Sequence, residues 1–204
     1  MIIEMRTYLL KPGTIPAFEE RFAEGLQTRS KFSPLGAFWH SEVGTLNQVI
    51  HVWPYEDFKE RERIGDEARK TGKWPPNVRE FIITQENKIL QPAPFSPPLG
   101  ERRLGNIYEI RTYTYQPGTM PTVLERWAKL IDGRVKFSPL AACWYTSFGP
   151  LNQFIHIWPY RDAGERDRIR AEVMKSGQWP PQTREFLLKQ ENALVVPAPF
   201  SPLH

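Results

Sequence analysis

One offset governs this chain: adding 105 to a residue number in the first half returns its counterpart in the second, with no gap. The relation takes Glu4 to Glu109, Arg6 to Arg111, Tyr8 to Tyr113, His51 to His156 and Trp53 to Trp158. It also takes Pro12-Gly13-Thr14 to Pro117-Gly118-Thr119 and Trp74-Pro75-Pro76 to Trp179-Pro180-Pro181, and PAPFSP recurs at 92–97 and 197–202. Self-similarity at a fixed period means that one supersecondary unit has been copied. Two copies are too few to stack into a solenoid, which leaves a pseudo-dimer of two units, 1–97 and 106–204. The linker at 98–105 continues the proline-rich run that begins at Pro92, a composition that favours an extended strap over a loose coil.

Each copy reads as strand, helix, strand, strand, helix, strand. Residues 2–10 alternate, with Ile3, Met5, Thr7 and Leu9 on one face and Glu4, Arg6 and Tyr8 on the other. Pro12-Gly13 ends that strand, and Thr14 before Pro16 starts a helix to about Arg29 with Phe18, Phe22 and Leu26 on one stripe. Strands are expected at 35–42 and 48–55, the second rich in β-branched and aromatic residues. Asp57 followed three residues later by Glu60 predicts a capped, charged helix to about residue 71. A short helical turn near 77–82 and a last strand at 83–90 complete the unit. This βαββαβ order is the ferredoxin-like plan, an antiparallel sheet with both helices on one face. The expected fold is therefore α+β: two tandem ferredoxin-like units whose open sheet faces close on each other into an intramolecular dimeric α/β-barrel type of pseudo-dimer.

Charge and composition narrow the function classes. The net charge is +4, but the basic residues alternate with acids, as in DFKERERIGDEARK, which reads as a solvated helix face. Nucleic acid is therefore not expected as a partner. No apolar run approaches the ~20 residues of a membrane helix, and MIIEMRTYLL enters strand-like sequence directly, so a cytoplasmic protein is expected. Cys143 is the single cysteine, which rules out an internal disulfide or a thiolate cluster. It replaces Phe38 of the first copy and reads as a small core hydrophobe. Phosphate loops, dinucleotide fingerprints and nucleophile elbows are absent from the sequence.

The residues that carry chemistry are the repeated polar rows. Glu4, Arg6 and Tyr8 share a strand face, as do His51, Trp53 and Tyr55, and the second copy repeats them as Glu109, Arg111, Tyr113, His156 and Trp158. If both rows point into the shared barrel, each repeat supplies a set able to hold a polar ligand in an aromatic wall or to move a proton. The same set also serves as a register-fixing ion pair beside a hydrogen-bonded core histidine. His51 and His156 with Glu4 and Glu109 show no dense ligand spacing, so no metal is expected. His40 has Tyr145 as its counterpart and reads as incidental, as does His204. Arg61, Arg63, Arg166 and Arg168 are expected to pair with helix neighbours such as Glu60, Glu62 and Asp167. Phe95 and Phe200 are expected to be buried by straps against the body.

The blocks YEIRTY at 108–113, FGPLNQFIHIWPYRD at 148–162 and VVPAPFSPL near the C-terminus, with IIEMRTY and VGTLNQVIHVWPYED in the first copy, resemble the NIPSNAP family. The resemblance covers nearly the whole chain, twice. It implies the tandem ferredoxin-like pair already read from the pattern, and it supplies no catalytic residues to carry over. Members are best known as mitochondrial proteins linked to vesicle trafficking and mitophagy signalling; this chain shows no targeting extension and reads as a compact, bacterial type of the domain pair. The expected function is a small-ligand or partner-binding module, with a polar and aromatic core between the repeats, able to self-associate further. The alternative, resting on analogy of fold, is a small oxidoreductase of the monooxygenase or haem-handling kind using that inter-repeat cavity. No cofactor is expected from the residues, with haem and flavin left open.

Overall fold

The computed structural model describes all 204 residues. The first repeat contains β1 (Ile2–Leu10), α1 (Ile15–Arg29), β2 (Ala37–Val43), β3 (Gln48–Tyr55), α2 (Phe58–Lys70), a 3-10 turn at Arg79–Phe81 and β4 (Ile82–Pro92). The second contains β5 (Ile107–Tyr115), α3 (Met120–Ala128), α4 (Ile131–Arg134), β6 (Ala142–Phe148), β7 (Gln153–Tyr160), α5 (Ala163–Lys175), a 3-10 turn at Arg184–Phe186 and β8 (Leu187–Pro197). Within each repeat the sheet order is the ferredoxin-like one, β4-β1-β3-β2 and β8-β5-β7-β6. Antiparallel pairing of β2 with β8 and of β4 with β6 joins the two sheets into one closed eight-stranded barrel. Closure leaves neither sheet with an unpaired edge.

Strand alternation then decides what faces where. Ile3, Met5, Trp39, Ile50, Val52, Tyr108, Ile110, Trp144, Ile155 and Ile157 form the core inside the barrel. The opposite face of each sheet carries Tyr8, Phe38, Val49, Trp53 and Tyr55, or Tyr115, Cys143, Phe154, Trp158 and Tyr160, against that repeat's own helices. There α1 contributes Phe18 and Phe22, and α2 contributes Ile64. Burying a side chain of this size is worth roughly 1.5–3 kcal/mol. Cys143 is fully buried, and burial pushes its thiol well above the usual range, so it packs as a hydrophobe.

Helix ends follow local chemistry. Asp57 Oδ1 accepts from Glu60 N at 2.9 Å, and Asp162 Oδ1 from Glu165 N at 2.8 Å, so α2 and α5 are capped as the sequence predicts. Thr14 starts α1 differently: its hydroxyl donates back to the Lys11 carbonyl, and the proline in the first turn removes one donor needing a cap. Gly25 lets α1 approach the proline segment closely, since a β-carbon there would lie 3.3 Å from both Trp74 and Pro76. The counterpart is Leu130, and at that position the helix of the second repeat breaks into α3 and α4.

The proline-rich straps are exchanged between repeats. Ala93 N donates to the Cys143 carbonyl and Cys143 N to Ser96 Oγ, which lays the first repeat's strap along β6. In mirror fashion Ala198 N donates to the Phe38 carbonyl and Phe38 N to Ser201 Oγ. Phe95 therefore stacks on Trp127 of the second repeat, and Phe200 packs on Phe22 and Phe38 of the first. Arg102 in the linker pairs with the C-terminal segment at Leu203, and Leu99, Leu104 and Leu203 pack against the barrel core. No helix is long and apolar enough to cross a membrane.

Candidate functional site

The polar rows do not face the barrel. Ile3 and Met5 occupy the interior, so alternation sends Glu4, Arg6 and Tyr8 to the helix-covered face, and the register sets Arg6 beside both His51 and Asn87. The expectation of one polar cavity between the repeats is thereby corrected. Trp39, Trp144, Tyr108 and the aliphatic side chains pack that space, and an oxidoreductase site in an inter-repeat cavity loses its location. Instead each repeat has its own cleft, between its sheet, its helices and the segment Trp74-Pro75-Pro76 or Trp179-Pro180-Pro181.

In the first repeat the cleft measures about 950 Å³. Its floor is built on the Glu4 carboxylate, almost wholly buried. Glu4 Oε1 accepts from Arg61 Nη2 at 2.5 Å, Asn87 Nδ2 at 2.7 Å and Arg6 Nη1 at 3.3 Å. Arg6 Nε in turn donates to the Tyr8 hydroxyl at 2.7 Å. At the back, Arg29 is buried at the end of α1, where it donates to Ser33 Oγ and to the Tyr55 hydroxyl and lies 4.3 Å from the Trp53 ring centroid. Burial lowers the Arg29 pKa from its usual value. Trp53 and Trp74 meet edge to face and form an aromatic wall.

His51 lies deeper than a surface acid–base group would. Trp53 Nε1 donates to His51 Nδ1 at 2.7 Å, so the acceptor nitrogen carries no proton and the neutral ring holds its proton on Nε2. Burial, reinforced by the charges of Arg6 and Arg29, holds the His51 pKa well below the usual histidine value. Nε2 is buried and has no hydrogen-bond partner in the protein, and neither does Nε of Arg61. An unsatisfied buried donor costs about 1–3 kcal/mol, so such groups call for an explanation.

The second repeat reproduces the arrangement. Glu109 Oε1 accepts from Arg166 Nη2 at 2.7 Å, Arg111 Nη1 at 3.0 Å and Asn192 Nδ2 at 3.1 Å, and Arg111 Nε donates to the Tyr113 hydroxyl. Burial pushes the Glu109 pKa up, but the Arg166 hydrogen bond and the charges of Arg111, Arg166 and Arg170 outweigh it and hold the carboxyl low. Trp158 Nε1 donates to His156 Nδ1 at 2.7 Å, Arg134 lies over Trp158, and His156 Nε2 and Arg166 Nε repeat the two orphaned donors. Burial, then Arg111, Arg134 and Arg170, hold the His156 pKa well below its usual value. This cleft is smaller, about 320 Å³.

All ten candidates on the polar rows thus gather, five to each cleft, but around two centres. His51 and His156 lie in separate clefts and do not share a site, and no group of three or more metal-ligating side chains forms. Arg63 and Arg168 pair along their helices with Glu67 and Glu172, as the spacing predicts. Arg61 does not follow that expectation and reaches across to the buried Glu4 of its sheet, whereas Arg166 pairs with Asp167 as expected and also reaches the buried Glu109. Arg29 and Arg134 were not among the sequence candidates, although both recur at the fixed offset, each four residues before a serine that it binds. Trp74, Trp179, Asn87 and Asn192 were visible as repeated residues without an assigned role. His40, incidental by sequence, forms a 2.7 Å pair with Glu19 on α1.

Charge and shape together define what the clefts can hold. Five arginines and three acids line the first, four arginines and Glu109 alone line the second, and tryptophan walls stand beside both. Comparison with known proteins agrees with the repeat and the fold. The family model described as NIPSNAP matches twice, at residues 3–97 and 108–202. The human protein NipSnap homolog 3B is 28% identical over 98% of this chain and 85% of its own length. The NipSnap homolog of Dictyostelium discoideum is 30% identical over 96% of this chain and 87% of its own length. The crystal structure of an anthrone oxidase-like protein matches with a TM-score of 0.63 and 7% identity, covering 98% of this chain and 93% of that one, a likeness of fold alone.

Proposed function

We propose that this chain, which belongs to the NIPSNAP family, is a two-site binding module in which each repeat, 1–97 and 106–204, takes a small organic anion. The observation that carries the reading is the matched pair of orphaned donors. His51 Nε2 and Arg61 Nε in one repeat and His156 Nε2 in the other are buried N–H groups without acceptors on residues that line a cationic cleft. Arg166 Nε, equally without an acceptor, lies behind the second cleft on the partner of Glu109. Donors of this kind suit an acceptor oxygen, and the arginine excess selects a negative one. Trp53 with Trp74, and Trp158 with Trp179, suit a flat apolar body behind the anionic group.

The histidines serve in this reading as neutral donors. Their Nδ1 atoms are already occupied, and their lowered pKa makes them poor sources of a proton at neutral pH. Calorimetric titration of the full chain with 1-naphthoate, and with the matching 1-naphthylmethylammonium cation, tests the proposal. Naphthoate should bind saturably and more weakly as salt is raised, whereas the cation should not bind. Arg6→Gln should weaken naphthoate binding about tenfold by removing one charge-assisted contact. Equal binding of both ions, or of neither, would overturn it.

A further inference from the structure

The two clefts are copies that have stopped being equal, and the difference centres on one position. Gly65 on α2 corresponds to Arg170 on α5, Asp66 to Ala171, and Arg69 to Met174. In the first repeat the Arg69 guanidinium lies over Gly65, 3.3 Å from where a β-carbon would sit, and is paired with Asp66. Its charge is thereby matched on the helix surface, and the space over Gly65 belongs to a cleft of about 950 Å³. In the second repeat Arg170 grows from the helix itself and reaches Glu109 Oε2 at 3.4 Å. No acid follows it, because Ala171 stands where Asp66 did. Glu109 already accepts from Arg111 and Arg166, and Arg166 is also paired with the exposed Asp167, so Arg170 makes three arginines against two carboxylates, only one of them buried. Trp127 in place of Phe22 and Tyr115 in place of Leu10 narrow the same cleft, which measures about 320 Å³.

We infer that the clefts are specialised for different anions: the second selects a compact organic dianion and the first a bulkier monoanion, with Arg170 and Gly65 as the determinants. The inference rests on the anion-binding reading above and adds the ligand class of each site. A dianion supplies two negative groups to the arginines around Glu109, in a cleft about a third the volume of the first. The first cleft has the room for a fused-ring body and a smaller surplus of cations over acids.

The test uses the full chain at about pH 8, where phthalate carries two charges and benzoate one. Phthalate should bind at one site per chain and at least tenfold more tightly than benzoate, a margin of the size that one added charge-assisted contact gives. Pyrenebutyrate, a bulky monoanion, should also bind at one site, without competing with phthalate. Arg170→Ala should weaken phthalate at least tenfold, and an unchanged thermal melt would show that the fold survives, alanine being a good helix former. The double variant Gly65→Arg with D66A transplants the determinant to a helix surface where only the flexible Arg69 tip must move. It should create a second phthalate site and abolish pyrenebutyrate binding. Two phthalate sites in the unmodified chain, competition between the probes, or R170A without effect would overturn the specialisation while leaving anion binding intact. Failure of both carboxylates and of naphthoate would instead overturn the anion-binding reading itself.

Discussion

His51 and His156 are bases kept neutral by the protein, and this has a consequence for stability. Above a pH of about 6.5 the histidines are uncharged both folded and unfolded, and their full contribution is present. As pH falls below that value the unfolded chain takes up protons that the folded chain refuses, so stability declines until the depressed folded values are reached. Each histidine can add a slope of up to about 1.4 kcal/mol per pH unit. His40 works in the opposite sense: its hydrogen bond to Glu19 raises its pKa, so its contribution is present at low pH and is lost as pH rises through the folded value. Urea unfolding at about pH 7.5 and 5.5 should therefore show a marked loss at the lower pH, and H51Q combined with H156Q should flatten it. An equal pH dependence in that variant would refute the neutral assignment. At this scale the sequence was informative about identity and less so about direction. The rows of Glu4 and His51 were visible because alternation and duplication expose them. Which face they occupy was not, because Ile3 and Met5 on one side and Trp53 and Tyr55 on the other are both apolar enough to be a core. Arg29 was hidden for another reason: an arginine ending a helix ordinarily offsets the helix dipole in water, and only tertiary packing turns it inward.

Among the elements, α2 and α5 have nearly the same sequence-level start signal and should respond alike to its loss. Replacing Asp57 or Asp162 by alanine removes one cap hydrogen bond and should cost about 1 kcal/mol each, near enough to additive because the two lie in different repeats. Chemical denaturation of the single and double variants measures this, and a cost confined to one helix would contradict the equivalence. Capped helices and the β2–β3 hairpin were legible because each depends on chemistry within a few residues, and the succession of strands and helices along the chain because each element carries its own periodicity. The break between α3 and α4 was not, since it appears where Leu130 replaces Gly25 and the proline segment that Gly25 accommodates lies some fifty residues further along the chain. That the straps bury Phe95 and Phe200 is legible from their repeated prolines and phenylalanines, yet nothing local says that each is buried against the other repeat.

The whole molecule holds its two halves together through the barrel seams at β2–β8 and β4–β6 and through the exchanged straps. Residues 1–97 and 106–204 produced as separate chains should therefore combine one to one, because each alone leaves the interior faces bearing Trp39 or Trp144 exposed. Light scattering after gel filtration should give the mass of the intact protein, and separate monomers would count against the shared core as the source of cohesion. Joining the halves in one polypeptide has a genetic consequence as well. When two identical subunits meet about a twofold axis, every mutation is made twice, and a residue near the axis confronts its own copy. A fused chain escapes that constraint: Ile3 faces the interior in one half and Tyr108 in the other, Lys88 has Ala193 for a counterpart, and Gly65 has Arg170. Each half can accept a change that its twin could not tolerate, so a duplicated gene of this form is free to drift toward two tasks while its frame remains that of one.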